Sequence, residues 1–374
     1  MLISLTNYVL GRAVLKADDG RDDQRTASTR TKTTFFTQST HFHMANRGTV
    51  SIVLGTANFG YEDNWWGESD AHILEAFSLL KKYGHSKLDS AQQYAGSEAK
   101  LGAFRAGTEH GLSIDTKWLG GWAREENANK KESIVATAKI SLQKLGVASV
   151  DVFYLHAPVY DTPLEETLSG VSAAYEAGMF QRFGLSNYPP ADVQKVYDVC
   201  KANNFVLPTV YQGNYSAVAR GQEDRLLPLL RKLGIAFYAY SPIAGGFLTK
   251  SREQIEGGKT RFSADQMYGL YHKMYVKDAF LKALGEWGRI AHEEGVSKTE
   301  LAYRWIVFNS ALRPEHGDAI VIGTSTSTQL EQTLIACQKG PLSEQAVGRI
   351  EAVWEMVKGE AYVDNYQAVF GAKG

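Results

Sequence analysis

The chain has 374 residues and a formal net charge of -1, with 40 basic and 41 acidic side chains. This length suits one large barrel or two medium domains, and the balanced charge gives no general attraction to nucleic acid or to an anionic membrane surface. No apolar run approaches the ~20 residues that a membrane-spanning helix requires, and Cys200 and Cys337 have no CxxC or His-rich neighbours. We therefore expect a cytoplasmic protein with small-molecule partners, no bound metal, and neither a nucleic-acid nor a membrane partner.

The first 46 residues differ in composition from the rest of the chain. The stretch DDGRDDQRTASTRTKTTFFTQST is rich in Thr, Ser, Arg and Asp and has no helical or strand periodicity. It predicts a disordered extension over residues 1–46, followed by one folded domain over residues 47–374. The aspartates of this stretch argue against a transit peptide, and a natural start at Met44 is an alternative.

From Thr49 onward, eight short β-branched or apolar runs alternate with longer amphipathic segments, the rhythm of a parallel sheet wrapped by helices. The predicted strands, in chain order, are VSIVLG near 50, KLD near 88, LSIDT near 114, VDVFYLH near 153, RFGLS near 184, PTVYQ near 210, IAFYAYS near 237 and AIVIG near 321. The stretches DAHILEAFSLLKKYG, ESIVATAKISLQKLG and LEETLSGVSAAYEAG are predicted helices between them.

Eight strands are the number that closes a (β/α)8 TIM barrel. A doubly wound sheet is the alternative, but no GxGxxG follows the first strand, where such a fold binds a dinucleotide. The segment from Gly245 to about Val276 is predicted to be one long irregular connection that covers the active-site face.

Four polar residues fall at or just beyond the ends of consecutive predicted strands: Asp89, Tyr94, Lys117 and His156. Barrel enzymes keep their catalytic groups there. A tyrosine hydroxyl is a poor acid at neutral pH unless a nearby ammonium favours its ionised form, which Lys117 can do while Asp89 holds the lysine. His156 can then orient a substrate carbonyl toward Tyr94.

Each of these residues also has an ordinary structural explanation. A tyrosine after a strand is usually a packed loop aromatic, Lys117 is more often a solvated charge, and His156 before Ala157 and Pro158 is more often a turn histidine. The joint pattern on three successive strand ends favours the catalytic interpretation.

The sequence resembles the aldo-keto reductase superfamily, and within it the aflatoxin aldehyde reductase group, from Thr49 to about Trp354. The resemblance rests on LDSAQQY with SEAKLG, DTKW, DVFYLHAP with TPLEETL, GLSNY, LPTVYQGNYSA, FYAYSPIAGGFLT and HGDAIVIGTSTSTQLEQT. It implies reduction of an aldehyde or ketone, with Asp89, Tyr94, Lys117 and His156 as the catalytic tetrad. It also implies a nicotinamide cofactor at the C-terminal face of the strands, and a homodimer is possible.

The cofactor contacts implied by the resemblance suit a ligand with one flat ring, one carboxamide and several phosphates. Tyr240 would stack on the nicotinamide, the glycines of SPIAGGF would allow close backbone approach to the pyrophosphate, and a helix start near Thr324 would receive the adenosine phosphate with Arg261 as an added charge. Simple helix capping is the alternative for Thr326 and Ser327. The full implied set is Asp89, Ser186, Asn187, Gln212, Tyr240, Ser241, Pro242, Ile243, Gly245, Gly246, Phe247, Leu248, Arg261, Gly323, Thr324, Ser325, Thr326, Gln329, Gln332 and Thr333.

The chain departs from the family pattern mainly at positions that concern the substrate. Tyr271 matches a family substrate position beside His156, but Val159 replaces an expected acid and Met274 an expected arginine, and AYVDNYQAVFG offers no counterpart of a C-terminal arginine. Without these cations a carboxylate loses its usual clamp, so we expect a bulky, less charged aromatic or dicarbonyl substrate. NADPH is the expected cofactor, although Thr333 stands where asparagine is usual.

Aromatic side chains after the first and third strands are further candidates for a substrate pocket, although loop packing explains them equally well. They are Phe59, Tyr61, Trp65, Trp66 and Trp118.

Two other classes of function remain open. A nicotinamide-sensing regulatory subunit, as in potassium-channel β subunits, would share the fold and the tetrad. A metal-dependent barrel hydrolase would need clustered His and carboxylate ligands, and no HxH follows the first strand.

Overall fold

Eight parallel strands close into a barrel in which each strand pairs with its neighbours along the chain and the last strand pairs with the first. The structure, a computed structural model, describes residues 49–122, 128–258 and 260–371. The predicted disordered extension over residues 1–46 lies outside the described residues. The strands are β1 (Ser51–Gly55), β2 (Lys87–Asp89), β3 (Ser113–Trp118), β4 (Val150–Leu155), β5 (Phe180–Ser186), β6 (Pro208–Asn214), β7 (Ala236–Tyr240) and β8 (Ala319–Ile322). The predicted (β/α)8 barrel and all eight of its strands are therefore confirmed.

Fourteen α-helices lie within the described residues, and most of them follow the strands and pack against one another around the barrel. They are α1 (Trp65–Glu68), α2 (Asp70–Lys82), α3 (Ser97–Ala103), α4 (Lys131–Leu145), α5 (Leu164–Glu176), α6 (Pro190–Ala202), α7 (Leu226–Leu233), α8 (Arg252–Glu256), α9 (Leu270–Tyr275), α10 (Asp278–Glu293), α11 (Lys298–Arg304), α12 (Ser327–Ala336), α13 (Glu344–Val357) and α14 (Asn365–Phe370). Within these same residues, no helix has the length and apolar character to cross a membrane.

The connection after β7 is more ordered than its sequence suggests. The prediction of one irregular segment from Gly245 to about Val276 is wrong, because it contains two 3-10 turns, Ala244–Thr249 and Met267–Gly269, in addition to α8 and α9. One reason is local: Ser251 and Gln254 form a capping box that starts α8. This helix-start signal is hard to recognise in a segment of such polar composition.

Inward-facing side chains divide the barrel interior into an apolar layer and a polar end. The apolar cluster comprises Val53, Val152, Tyr154, Val210, Ala236, Tyr238, Ala319 and Val321. Side chains that also face inward but lie closer to the C-terminal ends of the strands, such as Asp89, Lys117 and Gln212, are polar and buried. The middle of the barrel is thus filled by apolar side chains, and polar side chains are gathered at the C-terminal ends of the strands.

Gly184 makes room for the Tyr154 ring inside the barrel. The two residues are register partners on β4 and β5, and a Cβ placed on Gly184 would lie 2.3 Å from the Tyr154 ring. The ring in turn lies beneath Lys117, whose Nζ is 5.9 Å from its centroid. Gly184 therefore allows an aromatic ring to pack directly beneath the polar end of the barrel interior.

We expect Gly184→Ala to destabilise the protein by about 1–3 kcal/mol, because the added methyl overpacks a closed interior. Gly285→Ala is the matched control, since it lies in α10 with open space around its Cβ and should gain about 0.5–1 kcal/mol of helix propensity. Urea unfolding of both variants measures the difference. Equal changes in the two free energies of unfolding would contradict the packing account.

Candidate active site

A completely buried lysine connects the predicted catalytic residues at the C-terminal end of the barrel. Lys117 donates to the Asp89 carboxylate at 2.6 Å, to the Ser90 carbonyl at 2.8 Å and to the Tyr94 hydroxyl at 3.3 Å. The other Asp89 oxygen accepts from the Gln212 side chain at 2.8 Å. Every proton of the ammonium has an acceptor, so the charge is stabilised without water.

Burial and charge act in opposite directions on this lysine. Burial favours the neutral amine, but the Asp89 carboxylate and the Tyr94 hydroxyl outweigh it and hold the pKa of Lys117 above its ordinary value. Lys117 is therefore a fixed cation throughout the physiological pH range.

Tyr94 keeps its proton at neutral pH. Burial raises the pKa of its hydroxyl, and Lys117 offsets only part of that increase. Lys117 acts in the expected direction, lowering the pKa of Tyr94, but the cost of desolvating a phenolate is larger, so the net pKa lies above its ordinary value. A protonated hydroxyl beside a fixed cation is arranged to donate its proton rather than to rest as a phenolate.

His156 faces Tyr94 as a neutral imidazole. Its ring lies edge-on to the Tyr94 ring, with centroids 5.9 Å apart. Burial, assisted by the positive charge of Lys117, lowers the pKa of His156 well below its ordinary value. Its Nδ1 is buried and has no hydrogen-bond partner among the described residues. A neutral imidazole can donate one hydrogen bond to a carbonyl oxygen without adding charge.

The predicted carboxamide partners lie next to this histidine. Asn187 donates to the His156 carbonyl at 2.9 Å and to Ser186 Oγ at 3.0 Å, while its own Oδ1 accepts from the Tyr240 hydroxyl at 2.8 Å. Asn187 adopts a positive φ of 61°. The ends of β5 and β7 are thereby tied together beside the catalytic end of the barrel.

The segment after β8 ends in a helix start, as predicted. Thr326 is the N-cap of α12 and accepts from the Gln329 amide, and the Gln329 side chain accepts from the Ser325 amide. Thr324 Oγ1 is buried and has no hydrogen-bond partner among the described residues, and the Thr324 carbonyl accepts from the Trp66 indole at 3.0 Å. Capping thus accounts for the Thr326 hydroxyl, while the neighbouring backbone and Thr324 retain binding capacity.

The turn after β7 contains most of the other predicted cofactor residues. Gly245 and Gly246 have φ values of 64° and 100°, and Gly246 has open space where a Cβ would stand. Arg261 donates to the Gly245 carbonyl and lies over the Tyr271 ring at 5.3 Å. The remaining predicted residues of this turn are Ser241, Pro242, Ile243, Phe247 and Leu248, of which Pro242, Phe247 and Leu248 are buried.

Two residues that the sequence analysis connected with ligand binding, Thr333 and Met274, are buried. Thr333 is 2% exposed and its hydroxyl bonds to Tyr303, so that hydroxyl does not face a cofactor, whereas the neighbouring Gln332 is exposed. Met274 is 1% exposed and packs in the core.

Of the two explanations for the aromatic residues after the first and third strands, packing holds for most of them. Phe59, Trp66 and Trp118 are 1–2% exposed and belong to the core between the sheet and the helices. Trp65 stacks on His72, and Tyr61 is exposed. Loop packing, the ordinary explanation, accounts for these rings.

The residues from 51 to 355 match the model of the aldo/keto reductase family. The chain belongs to the aldo/keto reductase family. It is 40% identical over 285 residues to an aldo-keto reductase of Pseudocercospora fijiensis, covering 75% of this chain and 96% of that protein. It is 35% identical over 318 residues to oxidoreductase sirO of Leptosphaeria maculans, covering 83% of this chain and 95% of that protein. It is 36% identical over 327 residues to human aflatoxin B1 aldehyde reductase member 2, covering 83% of this chain and 88% of that protein. This aldo/keto reductase is therefore a nicotinamide-dependent oxidoreductase of carbonyl compounds.

Sequence reasoning missed three aromatic residues of this aldo/keto reductase. Trp122 lies edge-on to His156 at 5.9 Å, and Tyr366 and Phe370 of α14 pack against Trp122. The position of Trp122, just beyond the end of β3, is the same signal that identified Lys117. No signal in the sequence places α14 at this end of the barrel.

A second buried carboxyl lies below the tetrad and was also missed. Asp115 precedes Lys117 by two residues on β3 and pairs in register with Asp89 on β2. Its Oδ1 accepts from the Val152 amide, while Oδ2 is buried with no hydrogen-bond partner among the described residues. Burial, reinforced by the charges of Asp151 and Asp89, raises the pKa of Asp115 to about 8. Asp115 is therefore a neutral acid at pH 7.

We expect the stability gained by Asp115→Asn to increase with pH. Because the folded protein binds this proton more tightly than the unfolded chain does, wild type loses stability as pH rises from about 4 to about 8, at most ~1.4 kcal/mol per pH unit. The variant lacks this loss. Urea unfolding at pH 5 and pH 8 measures the difference, with exposed Asp198→Asn as the control that follows wild type. A difference that stays constant with pH would show that Asp115 ionises normally.

Proposed function

We propose that the protein reduces an aldehyde or ketone to an alcohol with NADPH, using Tyr94 as the proton donor. The observation that carries the proposal is the buried Lys117 ammonium, which contacts both the Asp89 carboxylate and the Tyr94 hydroxyl. The same ammonium that the Tyr94 hydroxyl helps to satisfy can stabilise the phenolate that Tyr94 becomes when it donates its proton.

The chain's own residues provide the steps around the carbonyl. Tyr94 and His156 present two hydrogen-bond donors to the carbonyl oxygen and so polarise it. Lys117 stabilises the phenolate that forms as Tyr94 gives up its proton, and Asp89 and Gln212 hold Lys117 in place. When bound, the nicotinamide cofactor supplies the hydride to the carbonyl carbon.

The residues present fit a nicotinamide dinucleotide. Tyr240 is partly exposed beside Asn187 and can offer its ring face, and Gln212 Oε1 can accept from the carboxamide. The open space at Gly246 admits close approach of a pyrophosphate. The Thr324 hydroxyl, which has no hydrogen-bond partner within the described part of the chain, and the amides at the start of α12 suit the adenosine phosphate. The exposed Gly323, Ser325, Gln329 and Gln332 surround this helix start.

For the substrate, we propose a bulky aromatic or dicarbonyl compound, with Tyr271 beside the site. The likeness to reductases of aflatoxin aldehyde supports carbonyl reduction in this group of relatives. Homodimerisation and a cytoplasmic location remain predictions.

We expect Tyr94→Phe to reduce kcat roughly 100- to 10,000-fold, because it removes one hydroxyl and its proton while leaving the ring in place. NADPH oxidation followed at 340 nm with benzaldehyde measures the rate, and quenching of intrinsic fluorescence measures NADPH binding, which should persist. Full activity in the variant would exclude Tyr94 as the acid. Bound cofactor without turnover in wild type would instead favour a regulatory subunit.

We expect Arg261→Ala to raise the dissociation constant of NADPH about three- to tenfold and that of NADH much less, because only NADPH carries a 2′-phosphate on its adenosine ribose. Arg252→Ala is the matched control, since Arg252 lies on the same connection, is exposed and pairs with Glu256. Titration of each variant with both cofactors gives the four constants. Equal weakening of NADPH and NADH would place Arg261 away from that phosphate.

A further inference from the structure

Three hydroxyl side chains are buried together beside the polar end of the barrel interior, and we call Thr56, Ser90 and Ser97 the hydroxyl cluster. Ser97, the first residue of α3, is its central member. Ser97 Oγ lies 2.9 Å from Ser90 Oγ and 2.8 Å from Thr56 Oγ1, and it also lies 3.0 Å from the Thr56 carbonyl oxygen. All three residues are 0% exposed. The cluster is therefore held by hydrogen bonds within the protein and has no exposed surface to offer a ligand.

The hydroxyl cluster is continuous with the residues that hold Lys117. The Ser90 carbonyl accepts from the Lys117 ammonium at 2.8 Å, and Thr56 Oγ1 donates to the Asp89 carbonyl at 2.9 Å. One arrangement of the three protons uses every hydroxyl: Ser90 donates to Ser97, and Ser97 donates to Thr56. Thr56 in turn donates to the Asp89 carbonyl. Both neighbours of the ammonium, Asp89 and Ser90, are thereby tied to Ser97.

Ser97 also fixes the loop that carries Tyr94. The Ser97 amide donates to the Tyr94 carbonyl at 3.0 Å. The same loop packs against the segment after β1 so closely that a Cβ on Gly60 would lie 1.3 Å from the Ala95 carbonyl oxygen. Ser97 thus contacts the loop of Tyr94 through its backbone and the supports of Lys117 through its side chain.

The distance between the ammonium and the tyrosine hydroxyl is the quantity that this arrangement controls. At 3.3 Å, the bond from Lys117 to Tyr94 is the longest of the three that the ammonium donates. A small displacement of either residue would weaken it, because hydrogen bonds lose strength quickly beyond this length. The direction of the ammonium depends on where the Ser90 carbonyl stands, and the hydroxyl cluster holds Ser90 in place.

We infer that Ser97 is a positioning residue, which holds Lys117 and Tyr94 at the distance that proton transfer requires and touches neither substrate nor cofactor. This inference rests on the proposed carbonyl reduction with Tyr94 as the proton donor. Because Ser97 is completely buried, its loss affects the chemical step rather than the binding of either ligand.

The first test replaces Ser97 by alanine. We expect kcat for benzaldehyde to fall about tenfold or more, while KM and the dissociation constant of NADPH change less than about twofold. The solvent deuterium isotope effect on kcat should increase, because delivery of the proton by Tyr94 then limits the rate. Ser172→Ala is the matched control, since Ser172 is a 3% exposed serine of α5 that accepts from the Val206 amide before β6. It should leave kcat and the isotope effect at their wild-type values.

Two variants of Thr56 separate hydrogen bonding from packing. Thr56→Ser keeps the hydroxyl and loses a methyl group, whereas Thr56→Val keeps the shape and loses the hydroxyl. We expect Thr56→Ser to retain kcat within about twofold of wild type and Thr56→Val to lose about fivefold or more. The opposite order would overturn the inference, because packing rather than the hydroxyl would then decide the rate.

A double-mutant cycle with Tyr94→Phe shows whether Ser97 acts through Tyr94. If it does, Ser97→Ala lowers the residual kcat of Tyr94→Phe by less than about twofold, since the group that Ser97 positions is already gone. An equal fold loss with and without the Tyr94 hydroxyl would assign Ser97 a general structural role and overturn the inference.

The outcomes separate this inference from the proposed function. If wild type does not reduce benzaldehyde, or if Tyr94→Phe reduces it equally well, the proposed function fails and the positioning role fails with it. If Tyr94→Phe loses activity as expected but Ser97→Ala and Thr56→Val match wild type, only the positioning role of Ser97 fails.

Discussion

The buried ion pair between Lys117 and Asp89 is the interaction on which the site depends. Taking both charges out of water costs several kcal/mol per ion, and their attraction offsets this only when every donor and acceptor is satisfied. The barrel provides that condition. The Ser90 carbonyl and the Tyr94 hydroxyl accept hydrogen bonds from the remaining ammonium protons, and Gln212 donates a hydrogen bond to the second oxygen of Asp89. The Tyr94 hydroxyl, the proposed proton donor, is thus one of the partners that satisfy the ion pair.

The rest of the barrel end keeps this pair at a constant charge. His156 is neutral because it is buried beside Lys117, and Asp115 is neutral because it is buried beside Asp89 and Asp151. Only the Lys117 and Asp89 charges remain at the tetrad, and they balance. A neutral, partly enclosed site of this kind agrees with the uncharged substrate that we propose.

The sequence was sufficient to predict the barrel and to place the four tetrad candidates at neighbouring strand ends, because both follow from local rules. Period-two apolar runs predicted the strands, and polar residues at strand ends are brought together by any parallel barrel. The tetrad distances now support that prediction. The cofactor residues were predicted only through family resemblance, and they stay a proposal.

Other features could not be predicted because they depend on the balance of distant contacts. The pKa of Tyr94 is set by burial against Lys117, which the sequence does not quantify. Trp66 and Trp118 look like pocket residues until their burial is known, and the contact of Trp122 with Tyr366 depends on α14, which lies far along the chain. Turns such as Ala244–Thr249 depend on strained backbone positions that glycines permit but do not specify.

The most direct test of the central claim is a single turnover with NADPH deuterated at both positions of C4 and an aromatic aldehyde, with the alcohol examined by NMR. The account predicts that the carbinol carbon receives one deuterium from the cofactor in wild type and that Lys117→Met slows this transfer by at least a hundredfold. Alcohol without deuterium, or unchanged transfer in Lys117→Met, would contradict it.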